Sequence, residues 1–258
     1  MQPTARVEPL PRPVMATIIA ALLVCAAAAW IFTGYQAASM GMGGQGALQM
    51  MSGALFLLIW LVMMVAMMFP SVAPMVLAHA AVVRNRGGGS VPTVGFVAGY
   101  LVVWTAAGLI PLAFLQAVGQ MLISLSTTTL VRLGGAVILL AGIYQFTPLK
   151  HACLKACRSP MGFIMTHDFG GGIPAAARAG LSHGLYCLGC CWALMAVLAV
   201  VGLMNLAWMA VIAVVFFLEK SWRHGVMLTR IVGTACIVGG LAVVIWPTLL
   251  GVVGGPMA

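Results

Sequence analysis

The chain has 258 residues, of which 63% are hydrophobic and only 6% charged, and its mean hydropathy is +1.14. A soluble domain carries roughly a quarter charged residues, so this chain cannot cover a water-facing surface and reads as a polytopic membrane protein. Twelve Lys/Arg against three Asp/Glu give a net charge of +9; on a membrane chain that excess is a topology signal, not a nucleic-acid footprint.

A spanning helix needs about 20 mostly apolar residues. Seven stretches qualify as candidates, near 14–34, 53–78, 93–119, 129–147, 180–201, 204–218 and 229–250, the sixth being short. The expected fold is all-α: a polytopic membrane helix bundle of about seven transmembrane helices. Residues 1–13 form a cytoplasmic N-terminal tail, 14–250 a single transmembrane domain with a cytoplasmic loop at 148–179, and 251–258 a C-terminal tail. With seven spans, one side carries Arg6, Arg12, Arg84, Arg86, Lys150, Lys155, Arg158, Arg178, Lys220, Arg223 and Arg230, and the other only Arg132. That bias puts the N-terminus in the cytoplasm and the C-terminus outside. The expected location is the bacterial inner membrane.

The first span follows MQPTARVEPLPRP. It is long for the apolar core of a signal peptide and reads as a retained helix. The outer loop 35–52 then carries Met40, Met42, Met50 and Met51 among Gly and Gln. An exposed thioether group there fits Cu(I) capture, or simply a flexible loop flanking two helix ends.

The second span reads WLVMMVAMMFPSVAPM over 60–75, followed by His79. At 100° per residue, Met64, Met68, Met75 and His79 fall within about 60° of one another, with Met67 on the adjoining face. Pro70 and Pro74 remove backbone donors within that helix, and the carbonyls they free must find other partners inside a membrane. Methionine is also an adaptable apolar filler, so a packing role stays open. The 148–179 loop supplies His151, Cys153 and Cys157, with His167 and Asp168 further on. Cys153 and Cys157 lie one turn apart if helical, and the interspersed Lys and Arg should favour thiolate. An interfacial helix with incidental cysteines is the plainer alternative.

The fifth span begins HGLYCLGCCWALM, residues 183–195. Relative to His183, Cys187 sits at about +40°, Cys190 at about −20° and Cys191 at about +80°, all on one face. Thiolate and thioether ligands select Cu(I), with imidazole also acceptable; small buried hydrophobes are the competing reading. Because the second helix runs outward to inward and the fifth the reverse, both sulfur sets lie in the cytoplasmic half of the bilayer. Near the sixth span, Asn205 is expected to bond another helix, and Glu219 and Lys220 read as an interfacial ion pair. Seven cysteines, mostly in or beside apolar segments, do not suggest a secreted disulfide framework. Three acidic residues rule against a hard-cation site. No nucleotide loop, catalytic triad or carboxylate pair is present.

Three of these stretches carry a resemblance: WLVMMVAMMFPSVAPM at 60–75, GIYQFTPLKHACLKACRSP at 142–160, and SHGLYCLGCCWALM at 182–195 continuing through GLMNLAWM at 202–209 to Glu219 and Lys220. Over roughly positions 55–220 the chain resembles the DUF2182 bacterial integral membrane proteins, a family described as metal-binding. The resemblance implies a metal role, with copper expected, and supplies no mechanism.

The leading expectation is therefore a non-enzymatic copper-handling membrane protein binding Cu(I) through Cys187, Cys190, Cys191, His183, Met64, Met67, Met68, Met75 and His79, with His151, Cys153 and Cys157 receiving or delivering the metal. Its expected partners are the lipid bilayer and a copper-dependent membrane enzyme or a metallochaperone. Two other readings stay open: a structural or assembly subunit of a larger membrane complex, and a membrane thiol oxidoreductase using Cys187 and Cys190.

Overall fold

A computed structural model describes residues 9–40, 52–160, 162–163, 172–202 and 205–248. These form eight helices and no strand: α1 (Arg12–Met40), α2 (Gly53–Asn85), α3 (Val91–Ile123), α4 (Thr127–Tyr144), α5 (Pro148–Arg158), α6 (Gly172–Val201), α7 (Leu206–Ser221) and α8 (Gly225–Ile245). The all-α polytopic bundle expected from the sequence is what the chain adopts. Six helices are long and apolar enough to cross a membrane: α1, α2, α3, α4, α6 and α8. The expected sixth span is the exception. As α7 it has 16 residues, a rise of about 24 Å, short of the roughly 30 Å hydrocarbon core.

Helix starts follow local chemistry. Ser52, Ser126, Thr147 and Asn205 cap α2, α4, α5 and α7, each accepting from the backbone N–H three residues on. Pro148 follows Thr147 at the first position of α5, where its missing N–H costs nothing. Asn205 is thus spent on its own helix: its Oδ1 accepts from Trp208 N at 3.2 Å, not from a neighbouring helix as the sequence suggested.

The bundle is centred on α2 and α6. More than half of each apolar window is buried, 61% and 56%, against 17% for α1 and α3. Close approach depends on small residues, as in membrane helices generally. A Cβ at Gly180 of α6 would run into the Phe96 carbonyl of α3, and one at Gly99 of α3 into that of Ala177. The second seam joins α4 to α8, where a Cβ at Gly142 would stand 2.7 Å from Ile237 N. Indole and phenol groups tie two further pairs, α2 to α3 and α4 to α6. Trp60 Nε1 donates to Trp104 O at 2.9 Å, and Tyr144 Oη to Gly189 O at 2.6 Å.

The prolines of α2 do not end it. Pro70 cannot bond the carbonyl four residues back, that of Ala66. Trp30 of α1 takes that carbonyl instead, donating from Nε1 at 3.1 Å. The freed group thereby finds an inter-helix partner and fixes α1 against α2.

Candidate metal centre

Two helices, α5 and α6, bring their cysteines into one sulfur cluster. Cys187, Cys190 and Cys191 project from α6, all buried, with 2% exposure or less. The half-buried Cys157 of α5 completes the group. The Sγ atoms of Cys157, Cys187 and Cys190 all lie within 4.8 Å of one another. Cys157 and Cys190 are 3.8 Å apart, and Cys190 and Cys191 3.4 Å. Two sulfurs each about 2.3 Å from a shared ion stand up to about 4.6 Å apart, so the spacing suits one soft ion held by two or three thiolates. The donor set is soft throughout, the type that takes Cu(I).

Helix α5 is what carries Cys157 to this place. Lys150, Cys153, Leu154 and Cys157 share its inward face, and the first three are buried. Both ends of α5 are tethered. At its start, Lys150 Nζ donates to Glu219 Oε2 of α7 at 2.8 Å and to the Cys190 carbonyl, an ion pair almost wholly shielded from solvent. At its end, Arg158 donates to the Glu219 carbonyl and, at 2.8 Å, to the Trp222 carbonyl. Gly225 leaves the room for that guanidinium: a Cβ there would strike Arg158 Nη1.

The expected Glu219–Lys220 pair does not form. Successive helix residues point about 100° apart, and the two side chains diverge: Glu219 turns to Lys150 and Lys220 to the sulfurs. Lys220 Nζ donates to Cys187 Sγ at 3.1 Å and to Ser71 Oγ at 3.2 Å, with Met68 Sδ at 3.9 Å. Tyr100 of α3 also reaches Cys187 Sγ, at 3.2 Å from its hydroxyl.

The other candidate residues take distinct places. Met68 touches the edge of the cluster through Lys220; Met64, Met67 and Met75 are equally buried along α2. His79 and His183 lie in an aromatic layer beside the thiols. His79 stacks on Phe96 with ring centroids 4.7 Å apart, and its Nδ1 is 3.3 Å from Thr93 Oγ1. His183 stacks between Phe96 and Tyr100, at 6.0 and 5.9 Å, with Phe163 edge-on at 5.3 Å. Tyr100 joins the two layers, ring against His183 and hydroxyl against Cys187. Cys153 packs its sulfur against Gly189, apart from Cys157, and His151 is half-buried on α5. The outer methionines Met42, Met50 and Met51 lie outside the described residues, as do the Met40 side chain, His167 and Asp168.

The electrostatics of α5 differ from the expected thiolate-favouring setting. Burial raises the Cys153 thiol above its ordinary pKa, and Lys150 opposes this only in part. The Cys157 thiol is pushed well up, first by its bond to Cys187 and also by burial. The reason is that the cations have other partners: Lys150 turns to Glu219, and Arg158 to backbone carbonyls. Burial alone would lower the pKa of Lys150, but Glu219 and the nearby cysteines together raise it, so it stays charged.

Sequence reading missed Lys150, Lys220, Tyr100 and Ser71 as groups touching the cluster. The available signal was a lysine at 150 and another at 220 in a chain with only three acidic residues: two cations close to apolar helices with almost no carboxylates to meet them.

No curated protein and no solved structure matches the chain. The family described as "PpoB2: Copper chaperone" matches residues 57–243, a stretch that contains every sulfur of the cluster together with Lys150, Glu219 and Lys220. The chain belongs to this copper chaperone family.

Proposed function

We propose that this protein holds Cu(I) at Cys157, Cys187 and Cys190 and passes it on by thiol exchange. The observation that carries the reading is the convergence of three Sγ atoms within 4.8 Å, contributed by two separate helices. Cys191 stands 3.4 Å from Cys190, a further soft donor within reach; Met68 meets the site through Lys220, 3.9 Å from its Sδ. The histidines serve as the aromatic layer that shapes the site from behind.

In this reading the chain is a multi-pass protein of the bacterial inner membrane, with the site in its cytoplasmic half, as the eleven-to-one Lys/Arg bias suggests when α7, though short, returns the chain to that side; the bond from Arg158 of α5 to the Trp222 carbonyl at the end of α7 supports that return. The resemblance to the DUF2182 membrane proteins falls on the same core. Cys157 is the one proposed ligand that is not fully buried, whereas Cys187 and Cys190 are enclosed. Copper exchange with a metallochaperone or a copper-dependent membrane enzyme therefore runs through Cys157, one thiolate being replaced at a time. The protein carries metal and catalyses no reaction.

The test is metal analysis of the purified chain under reducing conditions. One equivalent of copper is expected in the wild type and none in the Cys157→Ser/Cys187→Ser/Cys190→Ser variant. Unchanged copper content in that variant would sink the assignment.

A further inference from the structure

Lys220 is a buried ammonium in an unusual setting. The chain has three acidic residues. Glu8 and Asp168 lie outside the described residues, and the third, Glu219, is bound to Lys150. Among the described residues, Lys220 therefore has no carboxylate partner. Its polar neighbours are Cys187 Sγ at 3.1 Å, Ser71 Oγ at 3.2 Å and Met68 Sδ at 3.9 Å, and it lies 5.9 Å from the centre of the Phe216 ring. A buried charge left unpaired is strongly unfavourable. This one is held directly against the sulfur that the metal reading takes as a ligand.

The sulfur set alone leaves a problem of selectivity. Thiolates are ligands for Zn(II) as well as for Cu(I). A fixed positive charge changes the balance, because Coulomb energy scales with the product of the charges. An ammonium beside the metal position repels a divalent ion twice as strongly as a monovalent one. The sign of that effect does not depend on whether two or three thiolates bind.

We propose that Lys220 is the valence-selecting residue of this site: its ammonium, lodged among Cys187, Ser71 and Met68, biases the sulfur cluster toward a monovalent soft cation and against divalent ones. The inference rests on the metal-binding reading above. Binding is a simple exchange: thiol protons leave to solvent, metal–sulfur bonds form, and no electron is transferred. Lys220 positions no metal and is not a ligand; it acts through charge.

The experiment measures Cu(I) and Zn(II) dissociation constants of the purified full chain by chelator competition under anaerobic, reducing conditions. The expected outcome is that the ratio favouring Cu(I) falls by roughly 100-fold in Lys220→Met and Lys220→Gln, and stays within a few-fold in Lys220→Arg. A ratio unchanged in the neutral variants, or shifted as much by arginine as by methionine, overturns the proposal. Ser71→Asp leaves the lysine in place and sets a carboxylate against it. The ratio should fall there too, and an unchanged ratio overturns the proposal even where the neutral variants do not fold. A wild-type chain that binds neither ion defeats the metal-binding reading, whereas binding with an unaltered ratio in the variants defeats only the role of Lys220.

Discussion

Two buried lysines border the same sulfur cluster, and they are satisfied in different ways. Lys150 meets a carboxylate, Glu219, at 2.8 Å in a pocket shielded from solvent, and its second bond goes to a backbone carbonyl. Lys220 meets a thiol, a hydroxyl and a thioether. The first arrangement is complete without any ligand and fastens α5 to α6 and α7. The second brings a positive charge directly to a sulfur. The difference separates two roles: the Lys150 side fastens the helices that carry the cluster, and the Lys220 side is where we propose that charge acts on the bound ion.

That division can be broken from the scaffold side first, where the effect should be largest. Glu219→Gln leaves the Lys150 ammonium buried without its counter-charge, which typically costs about 3–5 kcal/mol. A large fall in the thermal midpoint in detergent is expected, with loosened tethering of α5. Replacing both partners, as Lys150→Met/Glu219→Leu, should recover most of the lost stability, because a matched apolar pair carries no desolvation penalty. If the single variant melts like the wild type, the ion pair is not what anchors α5.

Cysteine substitutions sharpen the other side. Cys157→Ser removes the α5 ligand while leaving the two α6 thiols, so copper affinity should drop by roughly ten- to a hundred-fold and exchange with an external thiol should slow. Cys153→Ser lies only one turn away on the same helix but packs against Gly189, and its copper affinity should stay within about two-fold. Equal losses in both variants would mean that α5 contributes through its overall position and not through the Cys157 sulfur.

Much of this organisation is legible in the sequence. The apolar spans set the helices, the 3.6-residue period groups Cys187 with Cys190 and the methionines of α2, and the prolines announce carbonyls needing partners, one of which Trp30 supplies. What periodicity cannot give is azimuth relative to a neighbour. It groups His183 with the thiols on one face, but that face is wide enough for His183 to stack on Phe96 and Tyr100 while Cys187 meets Lys220. Nor does spacing separate Cys153 from Cys157; only the docking of α5 decides that Cys157 meets the α6 thiols while Cys153 meets Gly189. The direction of Lys220 was hidden for the same reason. Adjacent in sequence to Glu219, it looks paired, yet adjacent helix residues do not face each other.

The central claim is that copper is held by sulfur alone, with the histidines kept behind as an aromatic layer. X-ray absorption at the copper edge, on the copper-loaded reduced protein, tests it most directly. The expected spectrum is that of Cu(I) with two or three sulfur neighbours at thiolate distances and no nitrogen shell. A clear imidazole contribution, lost in a His183→Phe or His79→Phe variant, would contradict the account.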